Sequence, residues 1–126
     1  MKLLKCAVCG NVVEMIEDKG VPVICCGQAM NELVANTSDG ALEKHVPVME
    51  VKDDVLFVQV GSVEHPMLPE HFITEIFVEY GNNIARASLK PGNKPTASFN
   101  LNGYKGLVHV YEYCNIHGLW KGEIQL

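Results

Sequence analysis

Four of the five cysteines fall in the first 26 residues, as Cys6-x2-Cys9 and an adjacent pair, Cys25-Cys26. No other feature limits the fold as tightly. Neighbouring residues have Cα atoms about 3.8 Å apart, whereas an ordinary disulfide spans about 4.4–6.8 Å, so a Cys25–Cys26 bond would be strained. The cysteine count is odd. The opening MKLLKCAVCG has neither a long apolar stretch nor a small-residue cleavage site. Both facts argue against export and a disulfide framework. Two adjacent thiolates on one metal ion carry no such strain. With a Cys-x2-Cys loop, whose backbone N–H groups point at the sulfurs, they make four thiolates, the donor set of tetrahedral iron or zinc. Because neighbouring side chains diverge, the adjacent pair is expected to distort the tetrahedron. Spacing leaves the two metals open: zinc would be a staple, while iron could also carry an electron.

The segment holding these cysteines, residues 1–35, has only short apolar pieces (Val12-Val13, Val21 to Ile24) separated by turn residues such as Asp18-Lys19-Gly20. Such a segment buries no core of its own and needs a staple. Residues 36–41, NTSDGA, read as a linker. Residues 42–126 have a β pattern. TASFNL (96–101) alternates, with Ala97, Phe99 and Leu101 on one face. VLFVQV (55–60), FITEIFVEY (72–80), IARASL (84–89) and LVHVYEY (107–113) are rich in β-branched and aromatic residues. HVPVMEV (45–51) and LWKGEIQ (119–125) complete about seven strands, with turns at 52–54, 81–83, 91–93 and 102–103. Short strands with regular turns predict an all-β chain ending in a small sandwich, with no helix.

Histidine placement adds a second candidate centre. His45, His65, His71 and His117 sit at strand ends or in loops, and His117 follows the fifth cysteine in Cys114-x2-His117. Loops at one end of a sandwich converge, so these five side chains can surround one ion. His109 is set aside: on a regular strand it shares a face with Leu107, Tyr111 and Tyr113, while Cys114 has the parity of Val108, Val110 and Glu112. Five donors overfill zinc, which takes four in structural sites and three in catalytic ones; they suit iron with a sixth position open, and copper is a further option. A thiolate pushes electron density into iron and favours redox chemistry on a small oxygen ligand.

The chain has 126 residues and a net charge of −5, and its basic residues are scattered, which excludes a nucleic-acid surface. No apolar run reaches the roughly 18–20 residues of a membrane span. The expected compartment is the cytoplasm. A negative protein repels anions at long range, so a site for an anionic substrate needs local positive charge.

Cys6-x2-Cys9, Cys25-Cys26, Glu43-Lys44-His45-Val46-Pro47, His65-Pro66-Met67, Glu70-His71 and Tyr113-Cys114-Asn115-Ile116-His117-Gly118 together resemble the desulfoferrodoxin family, the two-iron form of superoxide reductase. The resemblance spans nearly the whole chain. It implies a small desulforedoxin-like domain with a distorted iron site on Cys6, Cys9, Cys25 and Cys26, then a seven-stranded immunoglobulin-like β-sandwich. There a second iron has His45, His65, His71 and His117 in its plane and Cys114 on its axis. It further implies one-electron reduction of superoxide to hydrogen peroxide at Fe(II), a rubredoxin-type electron donor and a homodimer. With this match, Lys44 becomes the candidate for the local positive charge, and Glu43 an oxidised-state ligand. Single-iron relatives lack the first site, which this sequence keeps.

Three other readings compete. A non-catalytic electron-transfer protein could be rubredoxin-like through the first cysteines, or cupredoxin-like through Cys114 and His117. Blue-copper sites use two histidines, a cysteine and often a methionine. Gly118-Leu119-Trp120 supplies no methionine, and two histidines are left over. A zinc-stapled binding module predicts a colourless protein. A Cys114 nucleophile with His117 as base lacks an evident acidic orienter or oxyanion motif.

Overall fold

A computed structural model describes residues 1–38 and 40–126. The chain divides into two units, Met1–Val34 and Ala35–Leu126. Five short strands make up the first: β1 (Leu3–Lys5), β2 (Val12–Glu14), β3 (Ile24–Cys25), β4 (Gln28–Ala29) and β5 (Asn31–Glu32). They form an antiparallel sheet in the order β2-β1-β5 and a separate β3–β4 hairpin. Strands of two or three residues offer little to bury. Leu3, Leu4 and Cys6 are buried, whereas Val8, Ile16, Val21 and Ile24 remain exposed. The turn at Asp18-Lys19-Gly20 closes through a Gly20 N–H bond to the Asp18 carboxylate at 2.8 Å. So little core agrees with a unit that depends on its cysteines.

The second unit starts with one helical turn, α1 (Leu42–His45), followed by seven strands: β6 (Pro47–Lys52), β7 (Val55–Val60), β8 (Ile73–Tyr80), β9 (Asn83–Ser88), β10 (Thr96–Asn100), β11 (Leu107–Cys114) and β12 (Gly118–Gln125). They build two antiparallel sheets, β10-β7-β6 and β12-β11-β8-β9. Alternation decides what lies between the sheets. Leu56, Val58 and Val60 of β7, Ile76, Val78 and Tyr80 of β8, Phe99 of β10, and Val108 and Val110 of β11 are buried in one cluster. The expected sandwich is therefore present, with strand limits close to those read from sequence.

One expected strand is corrected. HVPVMEV does not begin as a strand at His45. Residues 42–45 coil into α1, and β6 starts at Pro47. Proline pushes the residue before it to extended backbone, and Val46 sits at φ −66°, ψ 122°. A single turn has no stability alone. It is fixed from outside by the Val63 N–H, which donates to the Glu43 carbonyl at 2.8 Å.

β8 also departs from simple alternation. Tyr113 lies opposite Glu75, but Cys114 lies opposite Ile73, so Thr74 is an extra residue in β8. The bulge shifts the inward parity, and both Ile73 and Ile76 are buried. It also aligns the start of β8, just after His71, with the end of β11 that carries Cys114.

Candidate metal centres

In the first unit the sulfurs of Cys6, Cys9, Cys25 and Cys26 converge within 4.8 Å of one another. Cys9 and Cys25 sulfurs are 3.7 Å apart, too far for a disulfide bond. The Cys6-x2-Cys9 loop folds over its own sulfurs. The Val8 and Cys9 N–H groups point at Cys6 Sγ, each at 3.4 Å, and the Asn11 N–H points at Cys9 Sγ at 3.4 Å. Those backbone bonds, from Cys9 first and then Val8, bring the Cys6 thiol down to about 6, so it ionises readily. In the same cluster, bonds from the Cys9 and Cys6 sulfurs push Cys26 up to about 12. Four thiolates so close repel unless a cation sits among them. Neighbouring side chains should diverge, yet both Cys25 and Cys26 reach the cluster. The backbone explains how: Cys26 takes a left-handed φ of 52° and Gly27 one of 76°, which turns the second sulfur back toward the first.

In the second unit the donor atoms of His45, His65, His71, Cys114 and His117 also lie within 4.8 Å of one another. Three segments deliver them: α1, the loop between β7 and β8, and the turn between β11 and β12. The imidazoles form a closed ring of edge-on neighbours. Centroids are 4.6 Å apart for His45–His65, 4.7 Å for His65–His71, 4.9 Å for His71–His117 and 4.8 Å for His45–His117. Each pair is steeply inclined, at 60° to 84°. His45 is thus opposite His71, and His65 opposite His117.

Hydrogen bonds settle which nitrogen each ring offers. His65 Nδ1–H donates to the Pro66 carbonyl at 2.7 Å, leaving a buried Nε2 with no partner. His71 Nε2 is likewise buried and without a partner. His45 Nδ1 lies 3.2 Å from Glu112 Oε1, so its Nε2 is the inward atom, 3.0 Å from His117 Nδ1. Adjacent donors at right angles around an ion, each about 2.1 Å from it, stand about 3.0 Å apart. Cys114 Sγ lies 3.9 Å from His117 Nδ1 and accepts the His117 N–H at 3.4 Å. Unsatisfied inward nitrogens, a square of rings and one thiolate are what an ion would complete. Five donors exceed zinc's usual number, and both centres fit iron.

Burial tunes this centre. Desolvation, with the charges of the other ring histidines and of Lys44, holds His45 down to about 4. Desolvation also holds His65 down to about 4, and it lowers His71. His45, His65 and His71 therefore stay neutral, the form that binds metal. Trp120 stacks on His45 at 4.8 Å and 13°, and its indole N–H donates to the His117 carbonyl at 3.0 Å.

All nine cysteine and histidine ligands expected from the sequence fall in one of the two clusters. His109 falls in neither; its Nδ1 lies 3.5 Å from a Glu123 carboxylate oxygen on β12. Lys44 and Glu43 are exposed on α1, and the Glu43 carboxylate is not among the clustered donors. Sequence reasoning did not single out Glu112, Asn115 or Trp120. Glu112 had a visible signal, a carboxylate on the core-facing parity of β11. A groove of about 710 Å³ lies elsewhere, on the outer face of the β10-β7-β6 sheet around Val48, Phe57 and Thr96, and none of the nine clustered donor residues lines it.

A fold and donor sets of this kind define a non-haem iron redox protein with two mononuclear centres. The N-terminal domain profile of desulfoferrodoxins matches residues 1–33, and the main desulfoferrodoxin profile matches residues 37–123. The chain belongs to the desulfoferrodoxin family. It is 46% identical over 123 residues to a desulfoferrodoxin of Syntrophotalea carbinolica, covering 98% of this chain and 96% of the relative. A superoxide reductase of Pyrococcus horikoshii is 37% identical over 101 residues, covering 67% of this chain and 88% of the relative. The crystal structure of the superoxide reductase from Treponema pallidum matches with a TM-score of 0.73 at 31% identity, covering 94% of this chain and 98% of that one.

Proposed function

We propose that this chain is a superoxide reductase, taking one electron and two protons to each superoxide and releasing hydrogen peroxide. The observation that carries this reading is the closed ring of four imidazoles with the Cys114 sulfur beside it. Its relatives named superoxide reductase share the fold that presents it. Ferrous iron in this centre supplies the single electron. The protein's own groups do the rest. His45, His65, His71 and His117 hold the ion without adding charge, and the Cys114 thiolate raises its electron density.

Lys44 supplies the local positive charge that an anion needs on a chain of net charge −5. Its position next to His45 supports this role, as does the effect of its charge on His45, His65 and His71. Glu43, its neighbour on α1, serves as a ligand in the oxidised state. In this reading residues 1–35 form the first iron domain, 36–41 the linker and 42–126 the reductase domain. A rubredoxin-type protein returns the electron, the molecule works as a homodimer, and reduced cysteine ligands suit the cytoplasm. No helix among the described residues is long and apolar enough to cross a membrane.

The test is rapid mixing of the reduced, iron-loaded protein with superoxide. One peroxide formed per electron lost, with no oxygen evolved, is the expected result. Stoichiometric oxygen release would mean dismutation and overturn the proposal, as would a reduced centre that superoxide leaves unoxidised.

A further inference from the structure

Asn115 stands between two donors, in the turn Cys114-Asn115-Ile116-His117, and donates nothing to the cluster itself. Its side chain reaches across to the loop that carries His71. The Oδ1 accepts the Phe72 N–H at 2.9 Å, and the Nδ2 donates to the Glu70 carbonyl at 3.1 Å. Its backbone N–H donates to the Phe72 carbonyl at 3.2 Å. All three bonds land on the two residues that flank His71.

We infer that Asn115 is a positioning residue for the second centre, a clamp that sets His71 in the imidazole ring by tying its backbone to the Cys114–His117 turn. The inference rests on the metal-binding reading of this centre and not on its substrate. His71 needs such a clamp more than His45 and His65 do. His45 and His65 are each 2% exposed, so packing fixes their rings, and each has a second-nitrogen partner in Glu112 or the Pro66 carbonyl. His71 is only half-buried, and its loop is otherwise closed by a local pair of bonds with Leu68, at 2.9 and 3.1 Å. The clamp needs one acceptor and one donor on the same planar group. An amide offers both; a carboxylate would set two oxygens against each other at the Glu70 carbonyl.

The experiment uses the full iron-loaded chain. It follows transfer of the second centre's iron to a chelator and the energy of the thiolate-to-iron absorption band, with the four-thiolate spectrum of the first centre as internal control. Asn115→Ala should release the second iron about tenfold faster or more, and shift the band, while the first centre is unchanged. Asn115→Asp should behave like Asn115→Ala. In a His71→Ala background, adding Asn115→Ala should give no further acceleration, since the clamp acts through His71. Wild-type release and an unshifted band in Asn115→Ala would overturn the inference. So would additive effects in the double variant, or parallel loss of iron from both centres. A wild-type protein without any thiolate–imidazole spectrum would instead overturn the metal-binding reading.

Discussion

Glu112 is fully buried, and one of its oxygens, Oε2, has no partner. Burial pushes its carboxyl up to about 9, while the neighbouring His45 is held down to about 4. Both groups are neutral in the metal-free protein at neutral pH. Their contributions to stability run in opposite directions. The unfolded imidazoles of His45 and His65 take up protons below about 6.5, and the native ones wait until about 4, so native stability is present above 6.5 and lost as pH falls. Glu112 binds its proton in the native state and releases it when unfolded, so its contribution is present below about 4.5 and lost as pH rises toward 9. His71, also lowered, adds to the acid-side loss. The melting temperature of the apoprotein should therefore peak between the two limbs, above about 4.5 and below about 9. Glu112→Gln should remove the alkaline decline and leave the acid one, and an unchanged alkaline limb by calorimetry would contradict this assignment. Lys44 makes a second prediction at this scale. Lys44→Ile should slow the encounter with superoxide several-fold and flatten its salt dependence, because the attraction of an anion to a local cation is screened. Stopped-flow rates at two ionic strengths check it.

Among the elements, α1 depends most on its surroundings. Gly61 has a φ of +81°, and a side-chain carbon there would collide with the Val63 carbonyl and come within 2.7 Å of the Glu43 carbonyl oxygen. That carbonyl is the one that anchors α1 through Val63. Gly61→Ala should cost about 1–3 kcal/mol of stability. It should also loosen iron in the second centre, since α1 carries His45; denaturant melts and chelator release would show both. β10 was legible because it alternates and β7 because it is rich in β-branched and aromatic residues, and the limits of both were read nearly to the residue. α1 was not, because four residues carry no helical period, and the bonds that brace the turn come from Val63 and Ser62, which the sequence does not announce. The bulge at Thr74 left no mark in FITEIFVEY, where both registers place apolar residues inward. Ligands were legible as residue types at spacings. Their supports, Asn115 and Trp120, were not, since an asparagine beside a histidine reads as a turn until its partners at Glu70 and Phe72 are known.

At the scale of the whole molecule, the two units carry their metals on separate sets of residues, with no donor shared. Cys9→Ser should accordingly remove the four-thiolate spectrum and one iron per chain, yet leave the thiolate–imidazole spectrum and superoxide reduction in place. Loss of both spectra on metal analysis would show that the first centre is required for the second. The ring of imidazoles has a mechanical consequence as well. His45 and His117 are 72 residues apart in sequence, and one ion would hold both. Such an ion is a rivet through the end of the sandwich, cross-linking α1, the β7–β8 loop and the β11–β12 turn. It takes most entropy from the unfolded chain where the bridged loops are long. Escape of the ion is then governed by the parting of these three segments, and not by the swing of any one side chain.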